Sequence, residues 1–172
     1  SNADDSFLRV NNCRNDLMNV KEFVKNKFPK SRYGIFATSF GGYITLLSIS
    51  ELKDYKIVLR APGVTIEKSF LEKIIPVSKE EFFENGGAVC GFERKMFVSS
   101  EFYKDLSENP IGNISQPMMI IQGTDDDIVP YNDIKSFCKK NDKIKLVSVD
   151  GADHRFKNEG DLKIIIDSAM EW

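Results

Sequence analysis

Short apolar runs alternate with helical stretches along most of this chain, and few architectures accommodate such a pattern. The apolar runs predict strands at residues 32–39, 55–62, 117–123 and 143–151. Apolar residues at helical spacing predict helices over 13–28, 40–50, 131–140 and 159–172. Strands that are apolar along their length and separated by helices indicate a parallel sheet covered on both faces. We therefore predict an α/β fold with a mostly parallel sheet and helices on both faces.

Residues 63–115, here called the lid segment, interrupt this alternation between the second and third predicted strands. Within them the sequence predicts a helix, a Gly-rich turn, a short apolar run and a second helix, at 66–74, 85–91, 95–99 and 100–108. A long insertion between two core strands is usually functional when it is ordered. We predict a lid over a core formed by residues 4–62 and 116–172, with a merely decorative insertion as the alternative.

The composition excludes several classes of function. At 172 residues the chain is long enough for one domain with its own core. Lys and Arg number 24 against 26 Asp and Glu, which gives a formal net charge of −2. Such a balance predicts neither a nucleic-acid partner nor an anionic membrane surface. No apolar run approaches the roughly 20 residues that span a bilayer, so we expect no membrane partner.

The three cysteines, Cys13, Cys90 and Cys138, are odd in number and far apart. Their spacing predicts neither a disulfide framework nor a zinc site, so we expect no metal. We interpret them as ordinary thiols in a reducing compartment and expect a cytoplasmic location. Residues 1–3, Ser-Asn-Ala, are interpreted as the remnant of a cleaved tag and play no part in the predicted fold.

The residues that indicate chemistry follow the predicted strands. In a parallel sheet the carboxyl ends of the strands share one edge, where ligand sites of open α/β sheets lie. The first candidate is Ser39 in ATSFGG (37–42), where a strand meets a helix. Small neighbours permit the sharp turn that exposes such a hydroxyl, although Ala37 replaces the first glycine of the usual G-x-S-x-G pattern. A helix entry without catalysis is the alternative.

The second candidate lies in the acidic loop IIQGTDDDIVP (120–130). A catalytic histidine needs an acceptor that fixes its tautomer and stabilises its cation. We select Asp126, which lies three residues beyond the glycine that ends the strand, while Asp125 and Asp127 remain alternatives. An acidic surface turn is the simpler interpretation of this loop by itself.

The third candidate is His154, the single histidine of the chain, in DGADHRF (150–156) after the fourth predicted strand. Histidine is the usual proton shuttle at neutral pH because its ordinary pKa is about 6.5. Asp153 or Asp150 could serve as a local partner in place of the distant aspartate.

Ser39, Asp126 and His154 follow one another in the chain order Ser…Asp…His of the α/β-hydrolase arrangement. Through ATSFGG, PMMIIQGTDDDIVP and GADHRF the chain resembles the α/β-hydrolase superfamily from about Asp16 to its end. Through VLRAPG, the Gly-rich stretch and SSEFYKDLSENP it is most similar to feruloyl or cinnamoyl esterase-like and serine aminopeptidase-like hydrolases.

This resemblance implies a nucleophile at Ser39, a general base at His154, an orienting acid at Asp126 and an oxyanion donor in the backbone N–H of Phe40. It implies no cofactor and a small-molecule ester substrate with a small or aromatic acyl group. A peptidase or acyltransferase with the same three residues, and a catalytically silent binding domain, remain alternatives. Aromatic residues of the lid segment suit an aromatic acyl group, although ordinary packing explains them equally: Phe70, Phe82, Phe83, Phe92, Phe97 and Phe102.

The chain departs from the superfamily in the early position of Ser39. Superfamily members carry several strands before the nucleophile, and a loop among them supplies a second oxyanion N–H. No His-Gly-Gly-like stretch precedes Ser39, so we expect the C-terminal half of the fold and the loss of that donor, which typically costs about 100- to 1000-fold in turnover. The strand near 32–38 would then be a bare sheet edge, and we expect either a homodimer through it or marked instability of the chain.

Overall fold

The computed structural model describes residues 8–91, 95–114 and 116–172. The interpreted tag remnant at 1–3 and Phe92 lie outside the described residues. The strands are β1 (Gly34–Thr38), β2 (Lys56–Arg60), β3 (Gly87–Cys90), β4 (Met96–Ser99), β5 (Met118–Gly123) and β6 (Ile144–Val149). The α-helices are α1 (Val10–Lys27), α2 (Ser39–Leu47), α3 (Ile66–Ser69), α4 (Lys79–Glu84), α5 (Ser100–Glu108), α6 (Tyr131–Lys139) and α7 (Asp161–Glu171). None of the described helices is both long and apolar enough to cross a membrane.

Four strands form the main sheet in the order β1-β2-β5-β6, and every neighbouring pair is parallel. The carboxyl ends of all four strands therefore lie along one edge, as the alternating sequence pattern predicts. The remaining two strands, β3 and β4, pair antiparallel as a separate hairpin within the lid segment. The predicted parallel sheet is confirmed.

Helices cover both faces of this sheet because its central strands are apolar on both sides. Every residue of β5 is buried. Ile57, Leu59 and Ile120 pack with residues of α2 and α6 on one face. On the other face, Val58 and Ile121 pack against α7. Burial of one such aliphatic side chain contributes about 1.5–3 kcal/mol, so these two layers hold the strand ends in place.

The lid segment packs on the outer side of α1 and α2 through a shared apolar cluster. Its buried members are Val10, Tyr43, Ile44, Ile66, Phe70, Phe82, Cys90, Val98, Phe102 and Leu106. The helix predicted at 66–74 is α3 followed by a π-helical turn at Phe70–Ile74. The sequence pattern missed α4, which has six residues and is capped by the Ser78 hydroxyl accepting from the Glu81 N–H. Movement of this segment as a lid stays a prediction.

Three of the predicted lid aromatics form the centre of this cluster. The rings of Phe70, Phe82 and Phe102 are buried and meet edge to face, with centroids 6.0–6.1 Å apart for the pairs that include Phe70. Phe83 and Phe97 are only partly covered, at 37% and 38% exposure. Packing within the segment therefore accounts for the three buried rings.

The outer edge of β1 carries no further strand within the described residues. The Lys56 N–H donates to the Tyr33 carbonyl, so strand alternation turns the backbone groups of Gly34, Phe36 and Thr38 outward. The Phe36 side chain is 54% exposed. Beside it runs a groove of about 950 Å³ whose lining includes Tyr33, Phe36, Val58, Ala169 and Trp172.

We expect the chain to self-associate through this edge, because antiparallel pairing of β1 with β1 of a second copy satisfies the outward groups and covers Phe36. Sedimentation velocity over a concentration series is expected to show a dimer that Phe36→Lys shifts toward monomer. Val89→Lys is the matched control, since Val89 is also 54% exposed but lies on the β3–β4 hairpin. A well-folded monomer at high concentration would contradict this expectation.

Candidate active site

Ser39 occupies a strained turn at the junction of β1 and α2. Its φ of +50° lies in the left-handed region, which non-glycine residues rarely enter and which costs on the order of 1–3 kcal/mol. The Gly63 N–H donates to the Ser39 carbonyl at 3.1 Å and ties the turn to the segment after β2. This conformation lifts the Ser39 side chain to the edge where the strands end.

Gly42, rather than Gly41, makes the close approach at this turn. A Cβ on Gly42 would lie 2.7 Å from Pro62 Cβ and 3.0 Å from Pro62 Cα, so glycine lets α2 pack against the segment after β2. A Cβ on Gly41 would lie 3.9 Å from Ala37 Cβ, an ordinary contact. Alanine in place of the first glycine of the motif is therefore accommodated.

The structure brings the three predicted side chains into one hydrogen-bonded array. His154 Nε2 lies 3.1 Å from Ser39 Oγ, and His154 Nδ1 lies 2.8 Å from Asp126 Oδ2. The His154 side chain is 19% exposed, whereas that of Asp126 is completely buried. A base with an alcohol on one ring nitrogen and a carboxylate on the other is the arrangement that activates a hydroxyl for nucleophilic attack.

Four donors surround the Asp126 carboxylate. Its Oδ1 accepts from the backbone N–H groups of Ile128 and Val129, at 2.9 and 2.7 Å. Its Oδ2 accepts from Gln122 Nε2 and His154 Nδ1, each at 2.8 Å. Burial of a charge is costly unless it is well paired, and these donors satisfy both oxygens. The turn after β5 thus fixes one oxygen, and two side chains fix the other.

The other acidic candidates lie elsewhere. Asp125 and Asp127 are exposed on either side of the buried Asp126. Asp150 accepts from the Thr124 hydroxyl at 3.3 Å. Asp153 accepts from the Arg155 N–H at 2.9 Å and pairs with Lys157. The carboxylate bonded to His154 is that of Asp126.

Backbone hydrogen bonds join the loop after β5 to the loop that carries His154. The Thr124 N–H donates to the Val149 carbonyl at 3.0 Å, and the Asp125 N–H donates to the Ala152 carbonyl at 3.1 Å. The Gly151 N–H donates to Thr124 Oγ1 at 2.8 Å. These bonds flank the acid and the imidazole and hold the two loops side by side.

Phe40, the predicted oxyanion donor, is the second residue of α2. Amides of the first helical turn have no partner within the helix and are free to bind negative charge. Its ring lies 5.7 Å from that of Phe102, centroid to centroid, so the residue after Ser39 also anchors the lid segment. The oxyanion role of the Phe40 N–H stays a prediction.

The three thiols are weaker candidates for a nucleophile than Ser39, because burial keeps them protonated. Burial raises the pKa of the Cys138 thiol to about 11 and also raises the pKa of Cys13 and Cys90. Such thiols carry little thiolate at neutral pH. Over the described ranges no three His, Cys, Asp or Glu side chains are grouped as metal ligands.

Gln122 is the site residue that sequence reasoning missed. The sequence does contain an indication of its role. A glutamine at the end of the apolar run MMIIQG is a polar residue in a buried strand, and a buried polar residue points to a specific hydrogen-bonding function. Only the fold reveals that its amide contacts Asp126.

A serine on a strained strand-to-helix turn, an acid after a later strand and a histidine after the last strand, on a parallel sheet covered by helices, define an α/β hydrolase. Residues 8–172 match the prolyl oligopeptidase family, and the chain belongs to that family. None of the curated proteins matches its sequence.

Solved structures share this fold. Est1E from Butyrivibrio proteoclasticus is 17% identical with a TM-score of 0.79, over 95% of this chain and 69% of that one. Mouse alpha/beta hydrolase domain-containing protein 10 is 18% identical with a TM-score of 0.65, over 95% and 68%. A protein from Agrobacterium vitis S4 is 24% identical with a TM-score of 0.69, over 86% and 64%. The chain thus spans about two thirds of their lengths, and the predicted resemblance to the α/β-hydrolase superfamily is confirmed.

Proposed function

We propose that the chain carries the catalytic triad of a serine hydrolase that cleaves carboxylic esters through an acyl-enzyme. The observation that carries the proposal is the array in which His154 lies 3.1 Å from Ser39 Oγ and 2.8 Å from Asp126 Oδ2. Both distances are short enough for His154 to take the proton of Ser39 directly and for Asp126 to orient the imidazole.

In the proposed reaction, Ser39 Oγ attacks the ester carbonyl carbon while His154 Nε2 takes the hydroxyl proton. The tetrahedral intermediate collapses, and His154 returns the proton to the leaving alcohol. Water then attacks the acyl-enzyme with His154 again as base, which releases the carboxylic acid and regenerates Ser39. Asp126 accepts the Nδ1–H throughout, which keeps Nε2 free to accept a proton and stabilises the imidazolium.

The negative oxygen of the tetrahedral intermediate needs donors that are in place before the reaction. We assign one of them to the backbone N–H of Phe40, which follows the nucleophile at the start of α2. The same residue contacts the lid segment through its ring, so the donor is braced by the aromatic cluster on that side.

The proposed substrate is a small-molecule ester of a small or aromatic acid. Support comes from a second structure of Est1E, solved with ferulic acid bound, which aligns with this chain at 16% identity and a TM-score of 0.78. The three unpaired thiols of the described chain agree with a cytoplasmic location.

Peptide-bond cleavage is the second candidate, and the match to the prolyl oligopeptidase family favours it. The same three side chains would act, with His154 protonating an amine instead of an alcohol as the leaving group. An ester and an anilide of one acyl group separate the two candidates. We expect turnover of the ester only; comparable kcat/KM values for both substrates would favour the peptidase.

Labelling with a fluorophosphonate tests the proposal directly, because an activated serine displaces fluoride and forms a stable phosphonate ester. We expect one adduct on Ser39, absent from Ser39→Ala and abolished or very slow in His154→Ala. Ser107→Ala is the control, since the exposed Ser107 hydroxyl donates to the Lys104 carbonyl in its own helix and lies away from the Ser39–His154–Asp126 array. Failure of the wild-type protein to label would support the silent binding domain instead.

A further inference from the structure

Gln122 donates to the same carboxylate oxygen that holds His154. The side chain is completely buried at the end of β5, and its Nε2 lies 2.8 Å from Asp126 Oδ2. Nε2 also lies 3.0 Å from the Val129 carbonyl, within the turn whose amides hold Asp126 Oδ1. Gln122 therefore joins the acid to the turn that carries it.

The orientation of this amide is determined by its surroundings. Asp126 Oδ2, the Val129 carbonyl and the Gly123 carbonyl are all acceptors, at 2.8, 3.0 and 3.4 Å from Nε2. If the amide were rotated by half a turn, Gln122 Oε1 would face three oxygens, which repel it. The donor end of Gln122 is thus directed at the acid.

This arrangement leaves the other end of Gln122 unsatisfied. Its Oε1 is buried and has no hydrogen-bond partner in the part of the chain that the structure describes. A buried acceptor without a partner is unfavourable and is rare in folded proteins. Simple packing would be served better by an apolar residue in this apolar strand, so the donor function of Nε2 explains why an amide is present.

We propose that Gln122 is a positioning residue that fixes Asp126 Oδ2 on the line to His154 Nδ1 and thereby keeps His154 Nε2 directed at Ser39. The catalytic consequence rests on the proposed function. Without Gln122, the donor that remains on Oδ2 among the described residues is His154 itself, so carboxylate and imidazole can tilt together. Because Gln122 reaches the reacting atoms only through Asp126, its loss lowers kcat rather than substrate binding.

The chain offers a matched control in Gln116, a second buried glutamine that precedes β5 at the opposite end of the strand. Its Nε2 donates to the Leu52 carbonyl at 3.1 Å, and its Oε1 also has no partner among the described residues. Gln116→Met therefore removes a buried amide of the same kind without contact to the Ser39–His154–Asp126 array.

The kinetic test compares Gln122→Met with Gln116→Met on one ester. For Gln122→Met we expect kcat to fall about 10- to 100-fold with KM within about twofold, as for groups that orient another catalytic group. For Gln116→Met we expect both constants to stay near wild type. Gln122→Asn, whose shorter amide does not reach Asp126, is expected to show the same loss and replaces the methionine variant if that variant does not fold.

Proton NMR supplies a measurement that needs no turnover. His154 is the single histidine of the chain, so its downfield Nδ1–H signal from the bond to Asp126 is unambiguous. We expect the signal to shift or broaden in both Gln122 variants and to persist in Gln116→Met. If the wild-type protein has no esterase activity but the NMR signals follow this pattern, the proposed function is refuted and the positioning role of Gln122 is not. Three results would overturn the positioning role. The Gln122 variants could behave like wild type, Gln122→Met and Gln116→Met could show equal losses, or the wild-type protein could lack the signal.

Discussion

Asp126→Asn is expected to lower kcat for ester hydrolysis by about 10⁴-fold, equivalent to roughly 5 kcal/mol of transition-state stabilisation, while the fold is retained. The N–H groups of Ile128 and Val129 require an acceptor at the Oδ1 position, so the asparagine oxygen takes that place. Its amide nitrogen then faces His154 Nδ1. The imidazole must accept at Nδ1 and carry its proton on Nε2, and in that tautomer it cannot accept the proton of Ser39.

Gln122 opposes this orientation of the asparagine, but the two backbone N–H groups at the Oδ1 position outweigh its single donor. In Asp126→Asn the Gln122 amide and the new amide nitrogen would both be donors, and rotation of Gln122 would place its oxygen against the Val129 carbonyl. Steady-state kinetics on one ester, together with the rate of fluorophosphonate labelling, measure the effect. Asp127→Asn is the matched control because Asp127 is the exposed neighbour of Asp126. A rate for Asp126→Asn within tenfold of wild type would show that another group orients His154.

The strands were predictable because their boundaries are marked in the sequence. The run at 117–123 is observed as β5 at Met118–Gly123, since Pro117 and Gly123 end the apolar segment on both sides. A parallel sheet then brings the carboxyl ends of its strands together whatever their separation along the chain. This topology is the reason that residues as distant as Ser39 and His154 could be expected at one site.

The local geometry of the loops was harder to predict from the sequence than the strands. The acidic loop holds three consecutive aspartates, and only the turn that directs the Ile128 and Val129 amides at Asp126 distinguishes it from its neighbours. In the lid segment, the Gly-rich stretch at 85–91 was predicted as a turn but contains β3, because pairing with β4 outweighs the weak strand preference of glycine. The six-residue helix α4 is too short to show a helical period.

Gly123→Ala is expected to destabilise the protein by about 2–4 kcal/mol, the range of severe overpacking in a core. The added Cβ would lie 2.2 Å from the Ala152 carbonyl oxygen and 2.8 Å from the carbonyl carbon. Both are backbone atoms, so no side-chain rotation relieves the contact. The loop after β5 and the loop that carries His154 must separate, at the cost of the bond from the Asp125 N–H to the Ala152 carbonyl.

Urea unfolding gives the change in the free energy of unfolding, and labelling of Ser39 reports the site in the folded fraction. Gly112→Ala is the matched control, because its added Cβ has no described atom within 4 Å apart from those of its two chain neighbours. We expect the control to unfold like wild type, and Gly123→Ala to unfold earlier and to label slowly even where it is folded. The two losses share one cause, since the methyl group displaces Ala152, two residues before the imidazole. Equal unfolding midpoints for the two variants would mean that the loops are not in contact, and the close approach of His154 to Asp126 would lose its structural basis.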